Sequence, residues 1–111
     1  MTDLTPITGR VLRRCEVTLL AALYWPCQEI DNAVNIAQLE SGWNTAAHNQ
    51  THEDSRGLWQ INVQAHPEAG TMNLFDPQVN AWWAHKIWKA SGSWRPWLNS
   101  ARKLLLISPQ K

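Results

Sequence analysis

Ile36-Ala37-Gln38-Leu39-Glu40-Ser41-Gly42 and Gly57-Leu58-Trp59-Gln60-Ile61-Asn62 bound the stretch on which the fold turns. With Gln28 to Ser41 read as a helix and residues set at about 100° steps, Ile30, Ala33, Val34, Ile36 and Ala37 share one face. Asp31, Asn35 and Gln38 fall on the other. Glu40 lands between Ile36 and Ala33, inside the apolar arc. A carboxylate there is costly to ionise unless it is paired. Gly42 suits the position just past a helix end. Glu40 then lies in the last turn, where the helix dipole opposes negative charge. Burial and dipole both push its pKa upward, the direction that a general acid working near neutral pH requires. The plainer reading is a last-turn glutamate with its head in water. Glu-Ser-Gly alone does not separate the two.

The residues that follow add weight. Asn44, Ala47 and Asn49 precede Asp54-Ser55-Arg56-Gly57-Leu58-Trp59-Gln60-Ile61-Asn62. The order Glu40-Ser41, Ala47-His48-Asn49, Gly57-Leu58-Trp59-Gln60-Ile61 resembles the lysozyme-like superfamily. The nearest pattern is the soluble lytic transglycosylase type of domain found in phage tail and lysis proteins. The resemblance runs on through Leu74-Phe75-Asp76-Pro77 and Asn80 to Trp94-Arg95-Pro96-Trp97, covering roughly residues 25–98. It implies a mainly α, α+β lysozyme-like fold. A helical domain would carry a loop or small hairpin forming one wall of a glycan cleft.

The chain has 111 residues, enough for one modest core, and reads as a single domain over 1–111. Its formal charge is +1, with no basic stripe or block, so nucleic acid is not an implied partner. No run of about 18 apolar residues offers a membrane span. Met1-Thr2-Asp3-Leu4-Thr5-Pro6 lacks the pattern of a signal peptide. Eight tryptophans stand against one Tyr and one Phe. Cys15 and Cys27 are the only cysteines. A disulfide between them is open, but without a secretory signal they read as two buried free thiols.

Three further helices accompany the one ending at Ser41. Gly9 to Tyr24 reads as the first, with Val11, Cys15, Leu19, Ala22 and Leu23 as its apolar stripe, and Pro26 separates it from the next. Trp43 to Arg56 is polar and turn-like. Leu58 to Ile61 reads as one turn or a brief strand. Val63 to His66 forms another turn, and Glu68 to Asn73 is loop. Asp76 caps a long helix, with Pro77 at its first position and Gly92 at its end. Val79, Trp83, Ile87 and Ala90 form its stripe, with Trp82 beside it. Trp94-Arg95-Pro96-Trp97 is a rigid corner. A last helix capped by Asn99 or Ser100 runs through Ile107, ended by Pro109.

Glu40 is the candidate acid. Asp54, with Glu53 beside it, is a candidate second acid, since glycosidases commonly work with two carboxylates. A solvated loop aspartate is the alternative. Counting back from Gly57, Ser55 occupies the place where animal lysozymes carry an aspartate, and the transglycosylase resemblance makes Ser55 a hydrogen-bonding neighbour of the acid. Gln60 and Asn62 share a face if the chain is extended. They then contact sugar hydroxyls or N-acetyl groups, or else satisfy backbone groups. Trp94 and Trp97 offer flat faces to sugar rings from the corner, or they pack in the core, which is also the plainer reading of Trp59. His48, His52, Glu53, Asp54 and His66 do not make a convincing metal site, because the segment is not helical. No Gly-x-Ser-x-Gly elbow surrounds Ser41 or Ser55. No cofactor is expected.

The resemblance implies cleavage of peptidoglycan at the β-1,4 link between N-acetylmuramic acid and N-acetylglucosamine. Glu40 would protonate the leaving oxygen. A transglycosylase would then use the muramoyl 6-hydroxyl, giving an anhydro end, and a lysozyme would use water. The motif order leans towards the transglycosylase. An Ala-x-x-Tyr-Asn-Ala-Gly element common in transglycosylases is absent, with Ser91-Gly92-Ser93-Trp94 in its place. A missing signal peptide fits a phage virion component, or a protein made in the host cytoplasm and delivered to the wall, with other virion proteins as partners. The competing class is a non-catalytic glycan-binding or structural virion module of the same fold.

Overall fold

A computed structural model gives the structure of residues 9–107. Helix α1 spans Arg14–Ala22, α2 Cys27–Ser41, α3 Pro77–Ser91 and α4 Leu98–Lys103. Strands β1 (His48–Asn49), β2 (Ser55–Arg56) and β3 (Ile61–Asn62) form an antiparallel sheet in chain order. Short 3-10 helices lie at Pro67–Thr71, which sequence reads as loop, and at Arg95–Trp97. The architecture is the expected mainly α, α+β one, and the expected loop or hairpin is a small three-stranded sheet. The final helix starts earlier than its expected cap at Asn99 or Ser100, because it continues directly from the Arg95–Trp97 turn.

Helix α2 forms where its periodicity places it. Ala33, Val34, Ile36 and Ala37 are buried along one side. Gly42 closes the helix at φ 63°, its N–H returning to Gln38 O. Helix α3 follows its punctuation equally well. The Asp76 side chain accepts from Gln78 N and Val79 N, Pro77 opens the first turn, and Gly92 ends the helix at φ 77°. Its buried face is Asn80, Ala81, Trp83 and Ala84, while Ala90, expected in the stripe, is exposed.

Helix α1 departs from expectation in both length and face. Val11 forms an antiparallel bridge with Asn44, and Leu12 N donates to Trp43 O, so the first residues are extended. Glu16 reaches back to accept from Arg13 N at 2.8 Å, which sets the helix start. Leu12, Val17, Leu20 and Ala21 enter the core. Val11, Leu19 and Leu23, three of the expected stripe, are 59%, 70% and 59% exposed. The cysteines are also misplaced by the sequence reading. Cys15 and Cys27 are unpaired, but both are exposed rather than buried. Cys15 falls on the solvent face of α1, and Cys27 opens α2 at a corner.

Tryptophans bind these pieces together. Trp25 packs against Trp59 with ring centroids 5.3 Å apart and against Trp94 at 5.6 Å, and Trp94 meets Trp97 at 5.5 Å. Apart from that of Trp25, which has no partner among the described residues, their indole N–H groups act as staples onto carbonyls and a carboxylate that have a spare lone pair. Trp59 Nε1 donates to Ala33 O at 2.9 Å, Trp43 Nε1 to Val34 O at 3.0 Å, and Trp97 Nε1 to Trp59 O at 2.7 Å. Helix α2 is thereby fastened from two sides, which fixes the position of its C-terminal turn.

Candidate active site

Glu40 sits in the last turn of α2, half-buried, with its carboxyl against α4. Its Oε2 accepts a hydrogen bond from Ser100 Oγ at 2.7 Å. Burial raises its pKa, and the negative charge of Glu53 raises it further; the Ser100 hydrogen bond and the charge of Lys103 act in the opposite direction. The net shift is upward, as the helical position anticipates. Oε1 makes no hydrogen bond among the described residues.

Ser100 is the residue that sequence reasoning missed. The sequence places it, with Asn99, as a cap of the last helix. Instead it lies within α4, 5% exposed, with its hydroxyl committed to Glu40.

The sheet brings a second carboxylate towards the acid, but it is Glu53 and not Asp54 whose charge is felt there. Ser55 is fully buried, and its hydroxyl donates to Glu53 Oε2. Ser55 is thus a hydrogen-bonding neighbour of Glu53 rather than of Glu40. Asp54 is otherwise engaged. Its two oxygens accept from Arg56 Nε at 2.9 Å and Nη2 at 2.8 Å, and Oδ1 also meets His48 Nε2 at 2.7 Å. The Arg56 fork, then His48, hold the Asp54 carboxyl well below the usual range. The alternation of a β-strand explains the split: successive side chains leave on opposite faces, so Asp54 and Ser55 cannot both address the same partner.

The Gly57 turn that carries the sheet into the Trp59 segment is built around Asn80. This buried amide accepts from Trp59 N at 2.8 Å and donates to Arg56 O at 2.8 Å and Leu74 O at 2.9 Å. Gly57 has φ +79°, and a Cβ there would come within 2.3 Å of both Asn80 Nδ2 and Leu74 O. Asn80 thus ties α3 to the turn and fixes where Gln60 and Asn62 emerge.

Gln60 and Asn62 line a hollow of about 230 Å³ with Ile61, Ala65, His66, Ile87, Pro96 and Trp97. They reach it by a route other than extended chain, since Gln60 has φ 51°. Gln60 Nε2 donates to Ala47 O and Gly57 O, and Asn62 Oδ1 accepts from Gln64 N. The backbone reading of these amides is the one the contacts show: one end braces the backbone, while Gln60 Oε1 and Asn62 Nδ2 make no hydrogen bond among the described residues.

The tryptophan corner is a correction. Trp94 is 4% exposed, stacked on Trp25, with its indole N–H donating to Glu29 Oε1 at 2.9 Å. It lines no part of the hollow and offers no face to a sugar. Trp97 is 6% exposed and contributes to one side of the hollow while its indole holds Trp59. The rigid corner turns these rings inward because the apolar area of two indoles is worth more buried than displayed. Trp59, fully buried, is core.

The site thus comprises a helix-borne acid bonded to the last helix, the charge of Glu53 acting on it, and a separately lined, polar-edged hollow. A family model described as a lysozyme-like domain matches residues 21–99, and the chain belongs to that family. Membership associates it with lytic activity on the glycan of peptidoglycan. No curated protein and no solved structure matches the chain. Among the described residues, no helix is long and apolar enough to cross a membrane.

Proposed function

We propose that the chain cleaves peptidoglycan strands between N-acetylmuramic acid and N-acetylglucosamine, with Glu40 as general acid. The observation that carries this reading is the Glu40 carboxyl itself: half-buried, shifted by burial towards its protonated form, with Oε2 held by Ser100 Oγ and Oε1 without a hydrogen bond among the described residues. Glu40 delivers that proton to the glycosidic oxygen as the bond to the muramoyl C1 breaks. The resulting carboxylate is steadied by the Ser100 hydroxyl and by the charge of Lys103. Gln60, Asn62 and the edge of Trp97 hold a neighbouring sugar in the hollow. No cofactor enters this scheme.

Glu40 then takes the proton of the incoming nucleophile. The motif order and the engagement of Asp54 by Arg56 and His48 favour the substrate's own 6-hydroxyl, which is the transglycosylase outcome. One observation favours a second reading. Glu53 lies close enough to act electrostatically on Glu40, and its Oε1 makes no hydrogen bond among the described residues. A carboxylate so placed can activate water, which makes the enzyme a lysozyme.

As parts of the same proposal, residues 1–111 act as one domain, and the protein reaches the wall with a phage virion or from the host cytoplasm. A non-catalytic module keeps the fold and the hollow but has no use for a neutral carboxyl. Zymography on purified peptidoglycan with Glu40→Gln beside wild type separates the two: clearing by wild type alone supports the enzyme, and binding without clearing by both supports the module.

A further inference from the structure

Of eight tryptophans, Trp82 alone is exposed; the others are buried or half-buried. It projects from α3 beside Trp83, their rings meeting edge to face at 5.2 Å, with the Lys86 ammonium 5.2 Å from the Trp82 centroid. Even so, 43% of Trp82 remains in solvent. Leaving this much indole wet forgoes burial that the same ring has at Trp25, Trp59, Trp83, Trp94 and Trp97. Trp82 also has a setting. With Tyr24, Met72, Val79, Gln78 and Asp76 it lines a hollow of about 390 Å³. This hollow shares no residue with the one that Gln60, Asn62 and Trp97 line.

The chemistry of this second hollow is specific. Two aromatic rings, Tyr24 and Trp82, provide apolar area, and exposed Met72 extends it. Met72 is not loose: its sulfur accepts from Trp83 Nε1 at 3.2 Å. Around this apolar floor stand polar groups with unused capacity. The Gln78 amide, the Tyr24 hydroxyl and Asp76 Oδ2 make no hydrogen bond among the described residues, while Asp76 Oδ1 caps α3. An aromatic floor with amide, hydroxyl and carboxylate at its rim fits a ligand with one flat C–H face and a hydroxylated edge, which is a pyranose ring. A purely apolar partner would leave the rim groups desolvated and unpaired, at a cost.

We propose that the Tyr24–Trp82 hollow is a second saccharide-binding site that holds a glycan strand away from the point of cleavage. This rests on the reading that the chain acts on peptidoglycan glycan. The substrate there is an insoluble polymer, so a second contact on the same or a neighbouring strand raises the local concentration of the cleft at its target.

The test measures retention on purified peptidoglycan sacculi in a Glu40→Gln background, where nothing is cut. Trp82→Ala should reduce retention at least about fivefold, the scale of one lost aromatic contact. Trp82→Tyr should keep most of it. In the active protein, Trp82→Ala should leave the cleavage rate on a short soluble glycan fragment unchanged, with an unaltered melting temperature. Equal retention by Glu40→Gln with and without Trp82→Ala overturns the proposal, while clearing of sacculi by wild type would leave the cleavage reading standing. A Trp82→Ala change that turns a dimer into a monomer in sedimentation, with retention per chain unchanged, also overturns it, because the hollow then takes a second copy. Failure of wild type to clear sacculi at all, with Glu40→Gln still retained and Trp82 required, defeats the cleavage reading and upholds the site.

Discussion

Ser100 Oγ donates to Glu40 Oε2 across 2.7 Å, joining residues 60 positions apart. The bond sets the properties of the acid in two ways. It lowers the pKa that burial raises, and it occupies one carboxyl oxygen while the other makes no hydrogen bond among the described residues. Because Ser100, Glu53 and Lys103 act on Glu40 with known signs, the proposed mechanism can be tested through the direction of each shift.

Activity requires the protonated acid, so the alkaline limb of the pH–rate profile follows the Glu40 pKa. Ser100→Ala removes a lowering contribution and should move that limb to higher pH. Glu53→Gln removes a raising one and should move it to lower pH. Profiles that shift the same way in both variants would show that the limb belongs to another group.

Glu40→Gln should abolish more than nine-tenths of the cleavage rate, because an amide has no acidic proton to give. It should also change how stability depends on pH. A folded-state pKa above the unfolded value means that wild type loses stability as pH rises through the unfolded and then the folded pKa. The variant escapes this loss. Thermal melts should show Glu40→Gln gaining on wild type as pH rises above the unfolded glutamate value of about 4.3, with the gap closing below it. A gap independent of pH would mean that Glu40 is not strained by burial.

Gly57→Ala should be among the most damaging single changes. The left-handed backbone disfavours any Cβ, and this one meets Asn80 Nδ2 and Leu74 O at 2.3 Å. A loss of about 3 kcal/mol is expected from strain and disruption of the Asn80 bonds together. Denaturant melts measure it directly, and a loss under about 1 kcal/mol would show that the turn can move away from Asn80.

Trp97→Ala is a core deletion and should cost about 3–5 kcal/mol. Trp97→Phe keeps most of the ring but leaves Trp59 O without its donor, and should cost about 1–2 kcal/mol while preserving glycan cleavage. Unchanged melting with weakened glycan binding in Trp97→Ala would instead make Trp97 a sugar platform.

The products decide the fate of the cleaved strand. Mass spectrometry of digested sacculi should find anhydromuramic ends, with activity retained in Asp54→Asn, since Asp54 is committed to Arg56 and His48. Reducing ends that disappear in Glu53→Gln would establish the water route with Glu53 as second carboxylate. Reducing ends lost in Asp54→Asn with the fold intact would return that role to Asp54.

What local chemistry governs could be read from the chain alone. Asp76-Pro77 and Gly92 bound α3, and Gly42 ends α2 with Glu40 in its last turn, because caps and left-handed closures depend on residues within one helical turn. Apolar periodicity likewise placed Ala33, Val34, Ile36 and Ala37 inside. The ordered motifs from Glu40 to Ile61 were enough to indicate the family.

Tertiary structure decided which partner each side chain meets. Around α1 two apolar stripes compete, and the Val11–Asn44 bridge selects the one with Val17, Leu20 and Ala21. Asp54 and Glu53 are adjacent carboxylates in sequence, yet Arg56 and His48 engage Asp54 while Glu53 acts on Glu40. Trp94 and Trp97 read as cleft walls until Trp25 and Trp59 give them neighbours to bury against. Ser100 has no feature in the chain that points to Glu40. Periodicity constrains a side chain's direction relative to its own element, whereas these contacts depend on how separate elements pack, and that is determined by the burial of the whole core at once.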